Sequence, residues 1–334
     1  MKDKPAGSGV LEGTDPESTE VLGETVSTLE ATTDMASRQG FGQQRNQGGR
    51  LAALPMAWYP LGPITQPARR RDLEFFGITR TQAVPPIQSG DELTLDCGAT
   101  IAVRNGLYWA CLQDYVDISI APHNLEELEA AQMVAANEVE VRADFDQVVL
   151  GLVDPAHVPM VHTSWWWRKK HRTKKVRHYE PSDLGFTVRQ QGRAYRSIYS
   201  MVGAGSELSI QFALPGLRIE RIGPPGRRIT NLTFVTPLRP GVQRLHNVIY
   251  SSIRGLGVLR PLLQMLGHRF LAQDAAVLNR IGSNSVHAAP MLFVGDPDQP
   301  SLWYFKLKRE LYASRVERRA FDNPVRAATL QWQT

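Results

Sequence analysis

Apolar and polar residues alternate in short runs over two parts of the chain, as they do in strands with one buried face. These parts are residues 51–122 and 186–250, and Gly, Pro and Asp divide both into short segments. Over residues 259–281 and 301–321, apolar residues recur at helical spacing instead. The pattern predicts an α+β protein in which helices cover one face of an antiparallel sheet.

Three further elements are predicted from local signals. Residues 124–136 fit a short helix capped by Asn124, followed by a strand at 139–142. The apolar run that ends at Val153 predicts a central helix, which Asp144 or Asp146 is placed to cap. Residues 328–332 predict a closing strand.

Candidate chemistry follows the central apolar run, at Asp154, His157 and His162. A helical period places Asp154 and His157 near one face of the same turn, and His162 on the next turn unless Pro159 bends the helix. Two neutral imidazoles and a carboxylate from elsewhere form the facial triad of non-haem Fe(II) oxygenases, whose open positions admit O₂ and substrate. The spacing indicates a metal site, and the alternative is a buried helix with two satisfied histidines.

The segment from Asp154 to His162 resembles the Asp-x-x-His-x-x-x-x-His motif of the Rieske non-haem iron oxygenases. The likeness is greatest to the branch of this aromatic ring-hydroxylating family with vanillate O-demethylase, pheophorbide a oxygenase and chlorophyllide a oxygenase. The resemblance runs from about Trp58 to the C-terminus. It implies that His157 and His162 bind a mononuclear iron. It also implies that Asp154 hydrogen-bonds the first histidine and bridges to the Rieske cluster of a neighbouring subunit.

The family's third ligand is an Asp on a later helix. Asp274 lies in the middle of the apolar pattern of residues 259–281, where an acid is costly to bury unless it is paired or bound to a metal. Asp274 is therefore the predicted third ligand, and an exposed surface acid is the other interpretation. His268 and His246 are the alternative ligands.

The resemblance also implies a domain organisation. Residues 123–334 are expected to form a helix-grip (START/Bet v1-like) catalytic domain, whose antiparallel sheet and long helix enclose a mostly apolar cavity. Residues 51–122 resemble the Rieske domain in outline. The family's [2Fe–2S] cluster requires two Cys and two His, whereas this chain has only Cys97 and Cys111, and its first histidine is His123. We therefore expect a degenerate Rieske-like β domain without a cluster, with both cysteines as small core residues.

Composition adds limits of a different kind. No apolar run approaches the roughly 18 residues of a membrane span, and the N-terminal residues lack a hydrophobic leader. Two cysteines make no disulfide framework, which favours a cytoplasmic protein. Residues 1–40 carry eight acids and three bases, a net charge of −5, which leaves +10 for the remainder of a chain of net charge +5. Residues 1–50, rich in Gly, Ser, Thr, Glu and Gln, are predicted to form a disordered acidic tail.

A basic run follows the motif: residues 168–178 hold seven Lys or Arg and no acid. The run is either a solvated loop or a docking surface for an acidic electron-transfer protein. A nucleic-acid interface is not expected, because groove binding normally adds aromatic stacking or a known module, and neither is present.

These features lead to two functional hypotheses. The first is the iron subunit of an oxygenase that acts with O₂ on a hydrophobic, aromatic or polycyclic substrate, with electrons from a separate Rieske-bearing or ferredoxin-type partner. The family's trimers imply an oligomer. The alternative is a non-catalytic ligand-binding or structural partner of an oxygenase, and an oxygenase that draws electrons from a co-substrate is a third possibility. The sequence leaves open whether hydroxylation, demethylation or ring cleavage follows.

Overall fold

The structure, a computed structural model, describes residues 45–46, 50–51, 53–64, 73–80, 87–156, 161, 174–190, 207–283 and 293–333. The chain divides into two compact units, Met1–Leu51 and Ala52–Thr334. In the first unit, the described residues form two short antiparallel strands, β1 (Arg45–Asn46) and β2 (Arg50–Leu51). The rest of the predicted tail at residues 1–50 lies outside the described residues, and its disorder stays a prediction.

A large antiparallel sheet dominates the second unit. Its strands are β9 (Gln132–Val141), β10 (Lys174–Ser182), β11 (Gly185–Gln190), β12 (Leu208–Ala213), β13 (Leu217–Ile222), β14 (Ile229–Arg239), β15 (Val242–Ser251) and β16 (Ala328–Gln333). Their order in the sheet is β16-β10-β11-β12-β13-β14-β15-β9. The prediction of an antiparallel sheet over residues 186–250 is confirmed for its described strands, while the segment around residue 198 lies outside the described part of the chain.

A smaller sheet packs against this one. It consists of β3 (Tyr59–Pro63), β6 (Glu92–Thr94), β7 (Ala99–Arg104) and β8 (Leu107–Leu112) in the order β3-β8-β7-β6, and a hairpin of β4 (Leu73–Phe75) and β5 (Ile78–Arg80) lies beside it. The hairpin turn bonds to the large sheet, since the Phe76 N–H donates to the carbonyl oxygen of Pro237 at 3.1 Å. Short strands between turns are what the sequence pattern predicts for this region.

One apolar core joins the two sheets. Trp58, which directly precedes β3, and Trp109 of β8 pack against Leu217, Phe234 and Val248 of the large sheet, and each of these residues is at most 3% exposed. Burying such side chains stabilises the fold by roughly 1.5–3 kcal/mol each. The division at residues 122 and 123 remains a prediction, but the described residues on its two sides share this core.

In the described part of the chain, three α-helices contact the opposite face of the large sheet. They are α1 (Phe145–Val153), α2 (Arg260–Ser283) and α3 (Gln299–Val316). Helix α2 lies along β9 and β15, whereas α1 contacts β13, β14 and β15 and packs on α3. Short 3-10 helices occupy Gln113–Ile118, Glu126–Leu128, Leu256–Leu259 and Asp296–Asp298. None of the helices in the described part of the chain combines the length and apolar character that crossing a bilayer requires.

Two glycines let helix α2 approach the sheet closely. A Cβ at Gly267 would lie 2.4 Å from Nδ2 of Asn137 on β9, and a Cβ at Gly282 would lie 1.8 Å from the carbonyl oxygen of Arg142 just after β9. Both distances are too short for a side chain without movement of α2 or β9. The separation of helix and sheet therefore depends on these two positions.

The predicted helix at residues 124–136 is wrong. The structure has only the 3-10 turn Glu126–Leu128 there, and β9 begins at Gln132. The segment is rich in Ala and Glu, which favour helices, but β9 pairs with β15 over its whole length. Val134 and Ala135 enter the core on one face of β9, and Met133 and Ala136 pack on the other, so tertiary pairing overrides local propensity.

Two other boundaries differ from the prediction. Helix α3 ends at Val316 rather than near residue 321, because Arg318 adopts a left-handed φ of 52° that cannot continue a helix. In the basic run 168–178, residues from Lys174 onward form strand β10, which pairs with β16. A solvated loop is therefore the wrong description of that half, and residues 168–173 lie outside the described part of the chain.

Glycine substitutions test the helix–sheet packing. We expect Gly282→Ala to lower the free energy of unfolding by about 1–3 kcal/mol, because the new methyl group would overlap the Arg142 carbonyl. Gly151→Ala in α1, where no atom of the described residues beyond the helix's own backbone lies within 4 Å of the added Cβ, should raise it by up to about 1 kcal/mol through helix propensity. Urea denaturation measures both changes, and equal effects at the two sites would contradict the packing of α2.

Candidate metal centre

Helix α1 presents the start of the predicted metal motif. Its N-terminus has a capping box, in which the Asp144 N–H donates to Oε1 of Gln147 at 3.1 Å, as expected for one of the two predicted caps. The helix ends at Val153, and Asp154 is extended, with φ −67° and ψ 114°. Pro155 explains this ending, because a residue before proline disfavours the helical region.

Asp154 forms a local turn rather than continuing the helix. Its Oδ1 accepts the Ala156 N–H at 2.6 Å, and the side chain is partly buried. The prediction that Asp154 and His157 share a turn of one continuous helix is therefore wrong at Asp154. The local turn still fixes the direction in which the chain leaves α1.

The two predicted histidine ligands, His157 and His162, lie outside the described residues. Within the described ranges, no group of three or more His, Cys, Asp and Glu side chains is arranged to hold a metal ion. The assignment of both histidines as ligands stays a prediction.

Asp274 lies on the buried stripe of helix α2. Leu271 precedes it by three residues and Leu278 follows it by four, and these leucines are 0% and 8% exposed. Burial raises the pKa of the Asp274 carboxyl from 3.8 to about 7, although the positive charge of Arg218 acts in the opposite direction. The raised pKa indicates that desolvation of Asp274 outweighs the attraction of Arg218, so the ionised carboxylate would gain from a further cation.

Arg218 on β13 connects helix α1 with Asp274. Its Nη1 donates to the carbonyl oxygen of Leu152 at 3.1 Å, two residues before Asp154, and its Nη2 pairs with Oε1 of Glu220 at 2.5 Å. The same guanidinium is near enough to Asp274 to affect its pKa. The end of α1 and the middle of α2 therefore face one region of the sheet.

The alternative histidine ligands point elsewhere. His246 on β15 is 1% exposed and stacks on Phe234, with ring centroids 4.6 Å apart, on the sheet face that packs against the smaller sheet. Asp274 is on the helix that covers the other face of the sheet. His268, on α2, is exposed. The structure does not bring either histidine together with Asp274.

A buried ion pair behind α1 was not predicted from the sequence. Lys308 and Tyr304 of α3 both donate to Oδ1 of Asp146 in α1, at 2.5 and 2.6 Å, and none of the three residues is more than 6% exposed. The sequence signals were an acid in an apolar helix and a Lys at helical spacing from Tyr304. The pair fixes α1 on α3, so it positions the segment that carries Asp154.

The two cysteines have different environments. Cys111 on β8 is 0% exposed, and burial raises the pKa of its thiol to about 12. It therefore stays a neutral core side chain, as predicted. Cys97 is partly exposed, which differs from the core position expected for it. The predicted lack of a cluster rests on the sequence and stays a prediction.

Comparison with known proteins supports the fold through structure alone. No family model matches the chain, and no curated protein matches it in sequence. Pseudomonas putida CBB5 NdmA with caffeine superposes with a TM-score of 0.57 at 13% identity, over 82% of this chain and 97% of that chain. Apo dicamba monooxygenase gives a TM-score of 0.55 at 12% identity, over 80% and 99%.

A third solved structure is dicamba monooxygenase with non-heme iron and dicamba. It superposes with a TM-score of 0.52 at 13% identity, over 80% of this chain and 96% of that chain. The chain thus shares the mixed α/β fold of these proteins, with large antiparallel sheets and few helices. At such low identity the likeness establishes the fold and leaves the chemistry to the residues of this chain.

The pKa of Asp274 predicts how the metal-free protein responds to pH. Because the pKa is higher in the folded state than in the unfolded chain, the native state binds more protons between about pH 4 and pH 7, and stability should fall as pH rises through that window. Asp274→Asn has no carboxyl group to ionise, so its free energy of unfolding should fall by about 2–4 kcal/mol less than that of the wild type over this pH range. Urea denaturation in a chelator at pH 5 and pH 8 measures it, with Asp298→Asn as the control. An unchanged difference in Asp274→Asn would contradict the burial of Asp274.

Proposed function

We propose that the chain is the mononuclear non-haem iron subunit of an oxygenase. It acts on a hydrophobic, ring-bearing substrate with O₂. A separate Rieske-bearing or ferredoxin-type protein in the cytoplasm supplies the electrons. His157, His162 and Asp274 hold the iron, and Asp154 orients the first histidine.

One observation carries the proposal: the end of α1 and Asp274 face the same region of the sheet, with Arg218 between them. The motif begins where α1 ends, and the proposed third ligand is the carboxylate on α2. The fold likeness to NdmA and dicamba monooxygenase supports the resemblance to Rieske non-haem iron oxygenases at the level of the superfamily. The α2 helix lying along β9 and β15 of an antiparallel sheet also supports the helix-grip arrangement that we propose.

The described part of the donor set fits a ferrous ion. Asp274 is a desolvated carboxylate whose burial outweighs its favourable interaction with Arg218, and a divalent cation would reverse this balance. Iron held by two imidazoles and one carboxylate leaves coordination positions for O₂ and substrate. Other residues of this chain hold helix α1, and with it Asp154, in position. Arg218 fixes the end of α1 through the Leu152 carbonyl, and the Asp146–Lys308 pair fixes its beginning.

The source of electrons follows from the sequence. The chain lacks the cysteine and histidine set of a Rieske cluster, so the proposal requires a partner that carries one, in an oligomer such as the trimers of the family. The chain's net charge of +5 suits an acidic partner. In this proposal Asp154 lies at the end of α1, where a partner's cluster would have to approach.

The second candidate function is a non-catalytic subunit that binds a hydrophobic ligand on the helix-covered face of the sheet. The absence of a cluster motif favours this alternative, and the raised pKa of Asp274 argues against it. A protein without a metal there would be more stable with a neutral side chain at that position.

Iron binding separates the two functions. Full-length protein loaded with ferrous iron under anaerobic conditions should retain about one iron per chain after desalting. His157→Ala and Asp274→Asn should each lose most of it, because the site would be left with two ligands. Metal analysis measures the content, and circular dichroism checks the fold.

His178→Ala is the matched control, because His178 is exposed on β10 and interacts there with Thr329 at 3.1 Å. It should keep the full iron content. Equal iron in His157→Ala and wild type would overturn the oxygenase proposal. A wild-type chain that retains no iron yet binds a hydrophobic ligand would favour the non-catalytic function.

A further inference from the structure

A group of exposed apolar side chains lies at the beginning of helix α2. In the described part of the chain, ten large apolar residues are at least 37% exposed, and six of them lie between Val258 and Ile281. Val258 is 83% exposed, and Leu259, Leu262 and Met265 are 37%, 45% and 48% exposed. Single exposed apolar residues are normal on a protein surface, whereas four within eight residues form a patch that indicates an interaction site.

Three of these side chains share one face of the helix. Val258 is in the 3-10 turn Leu256–Leu259, which leads directly into α2, and Leu262 and Met265 follow it by four and seven residues. Residues at this spacing lie on one face, and the three span about 10 Å along the helix. Leu271, on the opposite side of α2, is 0% exposed, so the apolar face points away from the sheet.

The turn that bears Val258 is anchored to the end of the large sheet. Leu256 is buried and packs in one cluster with Ile229 of β14. The Ser252 N–H donates to the carbonyl oxygen of Arg228 at 3.0 Å, and the Arg228 N–H donates to Oγ of Ser252 at 2.9 Å. The patch is therefore held in a fixed position, beside the turn that joins β13 and β14.

Four exposed arginines accompany the apolar patch. Arg254 and Arg260 lie on either side of Val258 in the chain, and Arg269 follows Met265 by one helical turn. Arg227 belongs to the turn between β13 and β14. Residues 252–283 contain a single acid, which lies on the buried stripe of α2. We call the residues Arg227, Arg254, Val258, Arg260, Leu262 and Met265 the basic tip.

Acids in the neighbouring segment do not cancel this charge. Glu127 is paired with Arg221 of β13 at 2.5 Å, and the exposed acids before β9 are Glu126 and Glu129. The four exposed arginines outnumber these two carboxylates. The surface around the tip therefore combines aliphatic side chains with a net positive charge.

This combination favours an anionic lipid surface over a protein partner. Two copies of the tip facing each other would bring their arginines together, and like charges repel. A projecting apolar patch needs a matching cavity in a protein, whereas the interface of a bilayer deforms around it. Apolar side chains beside Lys or Arg are what anionic membranes bind, with the apolar groups buried about 5–10 Å deep.

We propose that the basic tip binds the surface of an anionic phospholipid bilayer. Val258, Leu262 and Met265 enter the boundary of the acyl chains, and the arginines contact lipid phosphate groups. The inference goes beyond the proposed function, since it requires neither iron nor oxygen chemistry. In an oxygenase, the tip would hold the chain where a hydrophobic substrate concentrates.

Sedimentation with vesicles tests the proposal on metal-free, full-length protein. Wild type should bind vesicles of phosphatidylcholine mixed with phosphatidylglycerol about tenfold more tightly than vesicles of phosphatidylcholine alone. The double variant Val258→Ser/Met265→Ser should bind the mixed vesicles about tenfold more weakly, because two apolar side chains lose their burial. Arg254→Gln/Arg260→Gln should weaken binding by about as much and reduce its dependence on salt.

Val294→Ser and Lys306→Gln are the matched controls. Val294 is 67% exposed and lies just before the 3-10 helix Asp296–Asp298, which contacts β16 at the edge of the large sheet opposite to β9. Lys306 is exposed on α3. Both variants should bind the mixed vesicles as wild type does, and circular dichroism checks the fold of every variant.

Three outcomes would overturn the proposal. The first is a wild type that binds neither kind of vesicle or binds both equally. The second is equal binding of Val258→Ser/Met265→Ser and wild type, which would assign the attraction to net charge alone. The third is a dimer in sedimentation velocity that this double variant abolishes while vesicle binding is unchanged, which would make the tip an interface between copies. Because no metal is present, none of these results depends on whether the chain binds iron.

Discussion

The alternation of side chains across β13, β14 and β15 is the constraint on which the rest of the structure depends. Phe234 and Val248 point to one face and enter the core shared with the smaller sheet, while Thr233 and Asn247 point to the other face. A shift of one residue in register would exchange these two sets. The apolar face fixes the register, and the register in turn places the polar row under the helices. The candidate site therefore depends on packing at the far side of the sheet.

Because helix α1 packs on β13, β14 and β15, the register of these strands also determines where the predicted metal motif begins. Two interactions hold it: the buried bonds from Lys308 and Tyr304 to Asp146 near its beginning, and the bond from Arg218 to Leu152 near its end. Burial of the charged Asp146 and Lys308 costs desolvation free energy, so this pair adds little net stability and mainly fixes one arrangement of α1 and α3. The second originates on the sheet itself. The helix that delivers Asp154 is therefore fixed to both α3 and β13, which limits its movement relative to Asp274.

Much of this arrangement was predictable from the sequence, and the failures have physical reasons. Alternating strands after residue 186 and the long helix with Asp274 carry clear periodic signals. The helix predicted at residues 124–136 failed because pairing of β9 with β15 outweighs the helix propensity of Ala and Glu. The end of α1 could be predicted from Pro155, because the residue before a proline disfavours the helical region. The row of polar residues Arg218, Thr233, Asn247 and Asn137 could not be predicted, because these residues lie on four strands, and only the three-dimensional register shows that they belong to one row.

The balance of charge explains why the two functional hypotheses make different demands on the same surface. Arg218 is neutralised by Glu220, so it cannot fully compensate Asp274, and the pKa of that carboxyl is about 7. A subunit that only bound a neutral ligand would gain nothing from the Asp274 carboxylate, and an asparagine at that position would serve equally well. A subunit that bound a divalent cation would use the carboxylate to hold the metal. The Asp274 carboxylate has a role only in the second case, and this is the reason for preferring the oxygenase hypothesis.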